Sequence, residues 1–301
     1  MKKVFVFIIV GLLLEVSIFA QSSTGTPASG SVNTQRAVGS EDRIQSLKLE
    51  SKLMGRKMPY RVILPLNYDS KAASGRNFPV IYLLHGLSGH FDNWTEKTKV
   101  ADYSKAYDFI IITPEGGDGW YTDNESVPTD KYESYIISEL IPEVDKRFRT
   151  NADRRGRVIA GLSMGGYGSL KFGLKYPDKF FLVGSFSGAL GVAGWTEKNI
   201  GKSIGGSIDR IFGPEGSDFR KSNNIFEFIQ DLTPEKTKIL PFIYQSCGTE
   251  DFLFGNNNVF RSLLNEKHVP HEYREHPGGH DWAFWDDQVR EFLALVDRKI
   301  G

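Results

Sequence analysis

The chain has 301 residues, with 37 basic and 37 acidic side chains and a formal net charge of zero. Hydrophobic residues make up 40% and charged residues 25%, an ordinary balance for a globular protein with a substantial core. The balanced charge, together with the lack of a basic run interleaved with aromatic residues, argues against nucleic acid or an anionic membrane surface as a partner.

The first twenty residues have the pattern of a secretory signal peptide. Lys2 and Lys3 precede an apolar stretch over 4–20 that only Glu15 interrupts, and a polar segment follows Ala20. This order of basic, apolar and polar segments predicts a signal peptide over 1–20 and a secreted or periplasmic protein with no stable membrane anchor after cleavage. An uncleaved anchor helix is the alternative, although seventeen residues with a glutamate are short for a membrane span.

A folded domain is expected to begin after a polar lead-in. Residues 21–41 are rich in Ser, Thr, Gly and Pro and predict disorder, and residues 42–301 predict one domain. Extended segments over 44–54 and 60–65, with a turn at Gly55, predict an antiparallel hairpin. The single cysteine excludes an internal disulfide, and its place at the end of an apolar run indicates a buried structural thiol.

Beyond the hairpin, buried strands alternate with helices. Continuous β-branched and aromatic runs predict strands near 78–86, 109–117, 158–163, 180–188 and 240–248. Helical patterns lie between these runs, and Pro142 is expected to kink the helix that covers 132–144. The alternation predicts an α/β fold, with a mostly parallel central sheet and helices on both faces. Residues 190–236 are glycine-rich and weakly periodic, so we expect an insertion over the functional edge of the sheet.

The most informative motif is GLSMG at residues 161–165. An apolar strand precedes it and an amphipathic segment follows, which is the context of a nucleophile elbow with Ser163 at its tip. A serine hydroxyl needs a general base and a group that orients the base. His280, in a glycine-rich loop before the last helix, is the predicted base, with His276 as the alternative.

The orienting acid is expected in the segment that follows the fifth core strand. Asp251 and Glu250 both lie there, and the shorter Asp251 is the preferred candidate because it sits further into the loop. The oxyanion requires two preorganised N–H donors. The backbone N–H of Met164 is one candidate, and the N–H of Leu87, in the loop that follows the strand near 78–86, is the other. We expect His85 in that loop to be structural.

Five ordered motifs carry a family resemblance: HGLSGHFDNW, DGWYTD, GLSMGGYGSL, CGTEDFL and GGHDWAFWDD. With them, residues 42–300 resemble the esterase D-type α/β-hydrolases, which include tributyrin, feruloyl and acetylxylan esterases, S-formylglutathione hydrolases and mycolyltransferases. The resemblance implies an α/β-hydrolase fold, and implies the nucleophile, acid, base and oxyanion roles for Ser163, Asp251, His280, Leu87 and Met164. It also places Trp120 and Tyr121 where a substrate pocket could have an aromatic wall, although core packing is an equal alternative. Together with Trp195, these side chains could stack on a phenolic ring or a sugar face.

The expected function is that of a secreted serine carboxylesterase acting on short-acyl or carbohydrate-linked acetyl and feruloyl esters. An acyltransferase with the same triad is one alternative, and a non-catalytic carbohydrate-binding or interaction module is another. No cofactor is expected. A metal site is not expected either, since no acidic or cysteine cluster completes the histidine pairs His85/His90 and His268/His271. The expected partner is a small or polysaccharide-linked ester.

Overall fold

The computed structural model describes residues 43–200 and 202–300, and the predicted signal peptide and lead-in lie outside them. These residues contain one sheet of eight strands. The strands are β1 (Ile44–Ser51), β2 (Arg56–Ile63), β3 (Val80–Leu84), β4 (Ile110–Pro114), β5 (Arg157–Leu162), β6 (Leu182–Phe186), β7 (Phe242–Gly248) and β8 (His271–His276). Their spatial order is β1-β2-β4-β3-β5-β6-β7-β8.

The sheet is antiparallel at one edge and parallel elsewhere. Strands β1 and β2 form the predicted hairpin, with Ile44 opposite Ile63 and Gly55 in a left-handed turn at φ 62°. Strand β2 also pairs antiparallel with β4, and every other neighbouring pair is parallel. The central strands β3 to β6 are buried along their whole length, as their uninterrupted apolar sequences predict. The predicted sheet architecture is therefore confirmed.

Helices surround the sheet, and two separate apolar clusters fill its two sides. The α-helices are α1 (Asn93–Lys97), α2 (Val100–Tyr103), α3 (Tyr132–Tyr135), α4 (Ile141–Arg147), α5 (Met164–Lys175), α6 (Glu197–Ile200), α7 (Lys202–Phe212), α8 (Asp218–Lys221), α9 (Ile225–Gln230), α10 (Pro234–Ile239), α11 (Phe254–Glu266) and α12 (Trp282–Ile300). Short 3₁₀ turns cover Lys71–Ala73, Ser104–Ala106, Arg154–Gly156 and Val192–Gly194. No helix in the described ranges is both long and apolar enough to cross a membrane.

The proline expected to kink the helix over 132–144 has an identifiable effect. A π-helical turn over Ile136–Leu140 separates α3 from α4, and Pro142 lies at the start of α4. Proline has no N–H and its ring clashes with the carbonyl four residues earlier. The wider π turn accommodates this defect without ending the helical path.

The segment over 190–236 is more regular than its sequence indicated. It contains α6 to α9, and Ile208, Ile211 and Phe212 of α7 are buried at helical spacing. The expectation of weak periodicity was wrong here. Glycines at 205 and 206 lower helix propensity and obscured a short apolar stripe that packing stabilises.

Candidate active site

Ser163 lies in the sharp turn between β5 and α5. Its backbone has φ 51° and ψ −114°, a conformation that L-residues rarely adopt and that surrounding contacts must enforce. Two glycines make the turn possible. A Cβ on Gly161 would lie 2.5 Å from the backbone of Gly165, and a Cβ on Gly165 would lie 2.5 Å from the carbonyl oxygen of Leu84. The GLSMG spacing is therefore a steric requirement of this turn.

Backbone hydrogen bonds hold the same turn from the neighbouring strand. The Ser163 N–H donates to the Phe186 carbonyl at 2.9 Å, and the Ser163 carbonyl accepts from the Ala189 N–H at 3.0 Å. The conformation is thus fixed by backbone groups at the carboxyl ends of two adjacent parallel strands. Because these ends share one edge of the sheet, side chains that follow β7 and β8 are brought close to Ser163.

His280 connects Ser163 to Asp251. The His280 Nε2 atom lies 3.0 Å from Ser163 Oγ, and its Nδ1 atom lies 2.9 Å from Asp251 Oδ2. Asp251 follows β7, and His280 lies in the loop between β8 and α12. The Asp251 side chain is fully buried and that of His280 is 19% exposed, so the acid is shielded while the imidazole reaches a cavity. The structure therefore brings together three residues that the sequence analysis selected.

Contacts around Asp251 favour its charged form. Burial raises the pKa of the carboxyl group, but the hydrogen bond to His280 and another from the Leu253 N–H to Oδ1 at 2.8 Å outweigh burial. The pKa of Asp251 therefore lies below its ordinary value. A carboxylate that stays ionised can hold the His280 Nδ1–H and stabilise a positive charge on the ring.

The alternative acid and base lie elsewhere. Glu250 is exposed, and its backbone N–H donates to the Gly278 carbonyl. His276 Nε2 lies 3.6 Å from a carboxylate oxygen of Glu291 on α12. Neither side chain takes part in the contacts of Ser163.

The loop after β3 lines the same cavity with Gly86, Leu87, Ser88 and Gly89. The Gly86 carbonyl accepts from His85 Nδ1 at 2.8 Å and from the Gly89 N–H at 3.1 Å. In the trans peptide between Gly86 and Leu87, the C=O and the N–H point in opposite directions. Because the Gly86 carbonyl points at its two donors, the Leu87 N–H points away from His85 Nδ1 and the Gly89 N–H. No hydrogen bond within residues 43–200 and 202–300 uses that N–H. Met164 begins α5, where the first-turn N–H groups have no helical acceptor.

His85 holds this loop against the neighbouring strand and does not reach Ser163. Its Nε2 accepts from the Gly116 N–H at 2.8 Å, which identifies Nδ1 as the nitrogen that carries the proton and donates to Gly86. The Tyr121 hydroxyl donates to the His85 carbonyl at 3.0 Å, and the Tyr121 side chain is fully buried. Tyr121 does not line the cavity, so the prediction that it forms part of the pocket wall was wrong. Its ring lies in the core behind the cavity wall.

A cavity of about 520 Å³ opens beside Ser163 and has aromatic walls. Its aromatic residues are Trp120, Trp195, Phe252, Trp282 and Trp285. Trp120 packs edge-on against Trp195 with ring centroids 5.9 Å apart, and Trp285 packs edge-on against His280 at 5.0 Å. Phe252 is 77% exposed with its ring 4.6 Å from the His280 ring.

Sequence reasoning missed three of these aromatic residues. Trp282 and Trp285 lie two and five residues after His280 in the motif GGHDWAFW, and Phe252 directly follows Asp251. Their nearness in sequence to the candidate base and acid was a usable signal, because neighbours of a site residue at a sheet edge face the same opening. Cys247, also near the acid, is fully buried, and burial raises the pKa of its thiol to about 12, which fits the predicted structural thiol.

Comparisons with known proteins agree with this geometry. A family model described as "Putative esterase" matches residues 51–295. An acetyl esterase of Caldicellulosiruptor saccharolyticus is 30% identical over 264 residues, which cover 85% of this chain and 98% of the relative. Two solved structures each cover 86% of this chain and 98% of their own. They are a ferulic acid esterase, with TM-score 0.74 and 28% identity, and the fluorophosphonate-binding serine hydrolase FphF of Staphylococcus aureus, with TM-score 0.75 and 25% identity.

Proposed function

The chain belongs to this esterase family and is a carboxylic ester hydrolase, and from that premise we propose that Ser163, His280 and Asp251 carry out the hydrolysis. The observation that carries the proposal is the continuous line of contacts from Ser163 Oγ through the imidazole to Asp251 Oδ2, at 3.0 and 2.9 Å. Both distances are within the hydrogen-bond reach that a nucleophile and its base require.

In the first half of the reaction, Ser163 Oγ attacks the ester carbonyl carbon while His280 Nε2 takes the hydroxyl proton. The carbonyl electrons move onto oxygen, and the N–H groups of Leu87 and Met164 donate hydrogen bonds to that oxyanion. When the tetrahedral intermediate collapses, the bond to the alcohol oxygen breaks. The imidazolium returns its proton to the departing alcohol, which leaves an acyl group on Ser163.

In the second half, water replaces the alcohol. His280 takes a proton from water as the water oxygen attacks the acyl carbonyl. When the second tetrahedral intermediate collapses, the bond to Ser163 Oγ breaks, the imidazolium gives its proton to Oγ, and the carboxylic acid is released. Asp251 stabilises the imidazolium in both halves and keeps Nε2 directed at the serine. No atom or electron has to come from a cofactor.

We propose esters with short acyl groups, or acetyl and feruloyl groups linked to carbohydrate, as substrates. The relatives named as acetyl esterase and ferulic acid esterase support this range. The cavity supports it as well, because about 520 Å³ is enough for a small acyl group and an aromatic or sugar ring, and indole faces stack on both.

Export to the periplasm or the medium belongs to the same proposal. It rests on the basic, apolar and polar order of residues 1–20, which lies outside the described residues. Expression of the full chain followed by mass measurement of the exported protein tests it. A mature N-terminus at Gln21 is expected, and an intact Met1 on a membrane-bound product would contradict it.

The decisive experiment on the site is covalent labelling with a fluorophosphonate probe. The probe should attach to Ser163 in the wild-type chain, and the Ser163→Ala variant should remain unlabelled. Ser88→Ala is the matched control, because Ser88 lines the same cavity without contacting His280 and its loss should leave labelling intact. A labelled Ser163→Ala protein would refute the proposed nucleophile.

Product analysis separates hydrolysis from acyl transfer. Turnover of p-nitrophenyl acetate and methyl ferulate in the presence of added glycerol or sugar should yield the free acid as the main product. Acylated glycerol or sugar as the main product would favour the acyltransferase alternative with the same three residues.

A further inference from the structure

A fully buried lysine lies on α5, about two helical turns after Ser163. Lys171 has no exposed surface, and its ammonium group donates to the Tyr121 carbonyl at 2.7 Å, to Thr122 Oγ1 at 2.6 Å and to Glu133 Oε2 at 2.8 Å. Asn223 Oδ1 is a more distant fourth acceptor at 3.4 Å, and the three shorter contacts match the three N–H donors of an ammonium group. Lys171 does not line the cavity, so it has no route to the ester itself.

The charge of Lys171 is compensated within the core. The Glu133 side chain is 7% exposed. Its Oε2 accepts from Lys171, and its Oε1 accepts both from Lys175 Nζ at 2.6 Å and from the Tyr176 hydroxyl at 2.7 Å. Burial lowers the pKa of Lys171 to about 8 against the attraction of Glu133, so the lysine is mainly protonated at neutral pH. An ion pair at this depth is costly to bury and needs every hydrogen bond satisfied.

The segment that receives two of the hydrogen bonds has a strained backbone. Trp120 and Tyr121 are consecutive non-glycine residues in left-handed conformations, at φ 52° and 51°. Such conformations persist only where the surroundings enforce them. Within the turn, the Thr122 N–H donates to the Gly119 carbonyl at 3.0 Å. A further link runs through Thr122, whose hydroxyl accepts from Lys171 and donates to the Trp120 carbonyl at 3.0 Å. The indole of Trp120 then forms part of the cavity wall.

We propose that Lys171 is a positioning residue that holds the Trp120–Tyr121 turn in its left-handed form and thereby sets which esters the cavity accepts. The inference rests on the proposal that the cavity beside Ser163 binds the ester. Helix α5 would then fix two parts of the site at once, with the nucleophile at its first turn and the aromatic wall through its third.

The test compares selectivity in variants of matched size. Lys171→Met keeps a long side chain but loses all three donors, and it should change the ratio of kcat/KM for methyl ferulate to kcat/KM for p-nitrophenyl acetate by roughly tenfold. Trp120→Leu should change the ratio by a similar factor. The double variant should change it no further, because a residue that acts through another gives non-additive effects.

Lys175→Met is the control, since Lys175 shares the ion pair with Glu133 but has no contact with the turn. Its selectivity ratio should stay within about twofold of the wild type, as expected where the cavity walls do not move. A second readout is tryptophan emission. The spectrum of Lys171→Met should differ from that of the wild type, and this difference should vanish when both chains carry Trp120→Phe.

A folded Lys171→Met protein with the wild-type ratio would overturn the inference, as would fully additive effects in the double variant. If Lys171→Met does not fold, Thr122→Val replaces it, because valine retains the shape while removing the hydroxyl between Lys171 and the Trp120 carbonyl. An unchanged ratio in Thr122→Val would also overturn it. Failure of the proposed function can be told apart from failure of this inference, because the wild-type chain itself would then not be labelled by the fluorophosphonate probe.

Discussion

The elbow at Ser163 and the turn at Trp120–Tyr121 border the same cavity, and both place non-glycine residues in left-handed backbone conformations. They are linked to the rest of the fold by different means. The elbow depends on backbone hydrogen bonds to neighbouring strand ends and on glycines that allow close packing. The Trp120–Tyr121 turn has one backbone bond of its own, from the Thr122 N–H to the Gly119 carbonyl at 3.0 Å. Its links to the rest of the fold are side-chain bonds, from Lys171, fifty residues later in the chain, and from the Tyr121 hydroxyl to the His85 carbonyl.

This difference in support implies that the position of Ser163 and the shape of the aromatic wall respond differently to substitution. Backbone contacts at the elbow change little when a surrounding side chain is replaced, so we expect Ser163 to keep its position in such variants. The aromatic wall depends on a few side chains and can be altered by single substitutions. We therefore expect changes at the contacts of Ser163 to abolish turnover, and changes at the wall and its supports to alter stability or substrate preference.

The largest effect is expected from removing the proposed nucleophile or the proposed base. Ser163→Ala and His280→Ala should each lower kcat by a factor on the order of 10⁴–10⁶, because members of a catalytic unit do not contribute additively. Steady-state kinetics on p-nitrophenyl acetate measure this, with circular dichroism to establish folding. The double variant should be no worse than either single variant, and a folded Ser163→Ala protein with normal kcat would contradict the proposed mechanism.

Replacing the proposed acid should lower kcat by a smaller factor. Asp251→Asn keeps the shape but removes the charge, and it should lower kcat by a factor on the order of 10³–10⁴ by favouring the wrong imidazole tautomer. Glu250→Gln is the matched control, since Glu250 is adjacent but exposed. Kinetics on both purified variants decide the assignment, and a greater loss in Glu250→Gln would move the acid to that residue.

The next effect is on the free energy of unfolding and comes from Glu133, the partner of Lys171 in the core. Burial raises the pKa of Glu133, but Lys171 and Lys175 lower it to about 2, below the ordinary 4.5. The unfolded chain thus binds more protons between these values, and the stabilisation is present above pH 4.5 and lost as the pH falls towards 2. Glu133→Gln also leaves Lys171 as an uncompensated buried charge, so the free energy of unfolding at pH 7 should fall by about 3–5 kcal/mol.

Urea denaturation at several pH values measures the Glu133 effect. The difference between wild type and Glu133→Gln should shrink as the pH is lowered from 5 to 3. Glu143→Gln serves as the control, because the Glu143–Arg147 pair lies at the surface and should contribute less than about 1 kcal/mol. A difference that stays constant over this pH range would show that the charge of Glu133 is not the cause.

The smallest effect on kinetics is expected at Phe252, an exposed residue that lines the cavity. Phe252 is largely exposed beside His280, and Phe252→Ala should raise KM for methyl ferulate about three- to tenfold, which corresponds to the roughly 1 kcal/mol of an aromatic contact. The kcat for p-nitrophenyl acetate should change little. Val259→Ala is an exposed control on α11 that does not line the cavity. Equal KM values in both variants would exclude Phe252 from substrate contact.

Much of the fold could be predicted because its signals are local. Each core strand is a continuous apolar run, and the GLSMG spacing reflects a steric need within five residues. Selecting Asp251 and His280 required only that they follow parallel strands, whose carboxyl ends share an edge. The structure brings them within hydrogen-bond distance of each other and of Ser163, while their catalytic roles stay predictions.

The parts that escaped prediction depend on contacts distant in sequence. Nothing near Lys171 indicates that its ammonium group would be buried against Tyr121 and Glu133, because a lysine on a helix is usually exposed. Tyr121 was placed in the pocket wall for a related reason: its sequence shows an aromatic residue beside Trp120 but not which ring faces inward. Helix α7 was missed because tertiary packing compensates for its glycines.

Cys247 gives the chain a built-in reporter of its own motions. The sequence has one cysteine, which is fully buried in β7 between two other strands, and the raised pKa of its thiol makes it unreactive while the sheet is closed. A thiol reagent can modify it only during an opening that exposes this strand. The rate of modification therefore reports how often this strand opens under native conditions, and no engineered label is needed. Cys247 lies four residues before Asp251, so the openings it reports are next to the loop that holds that residue.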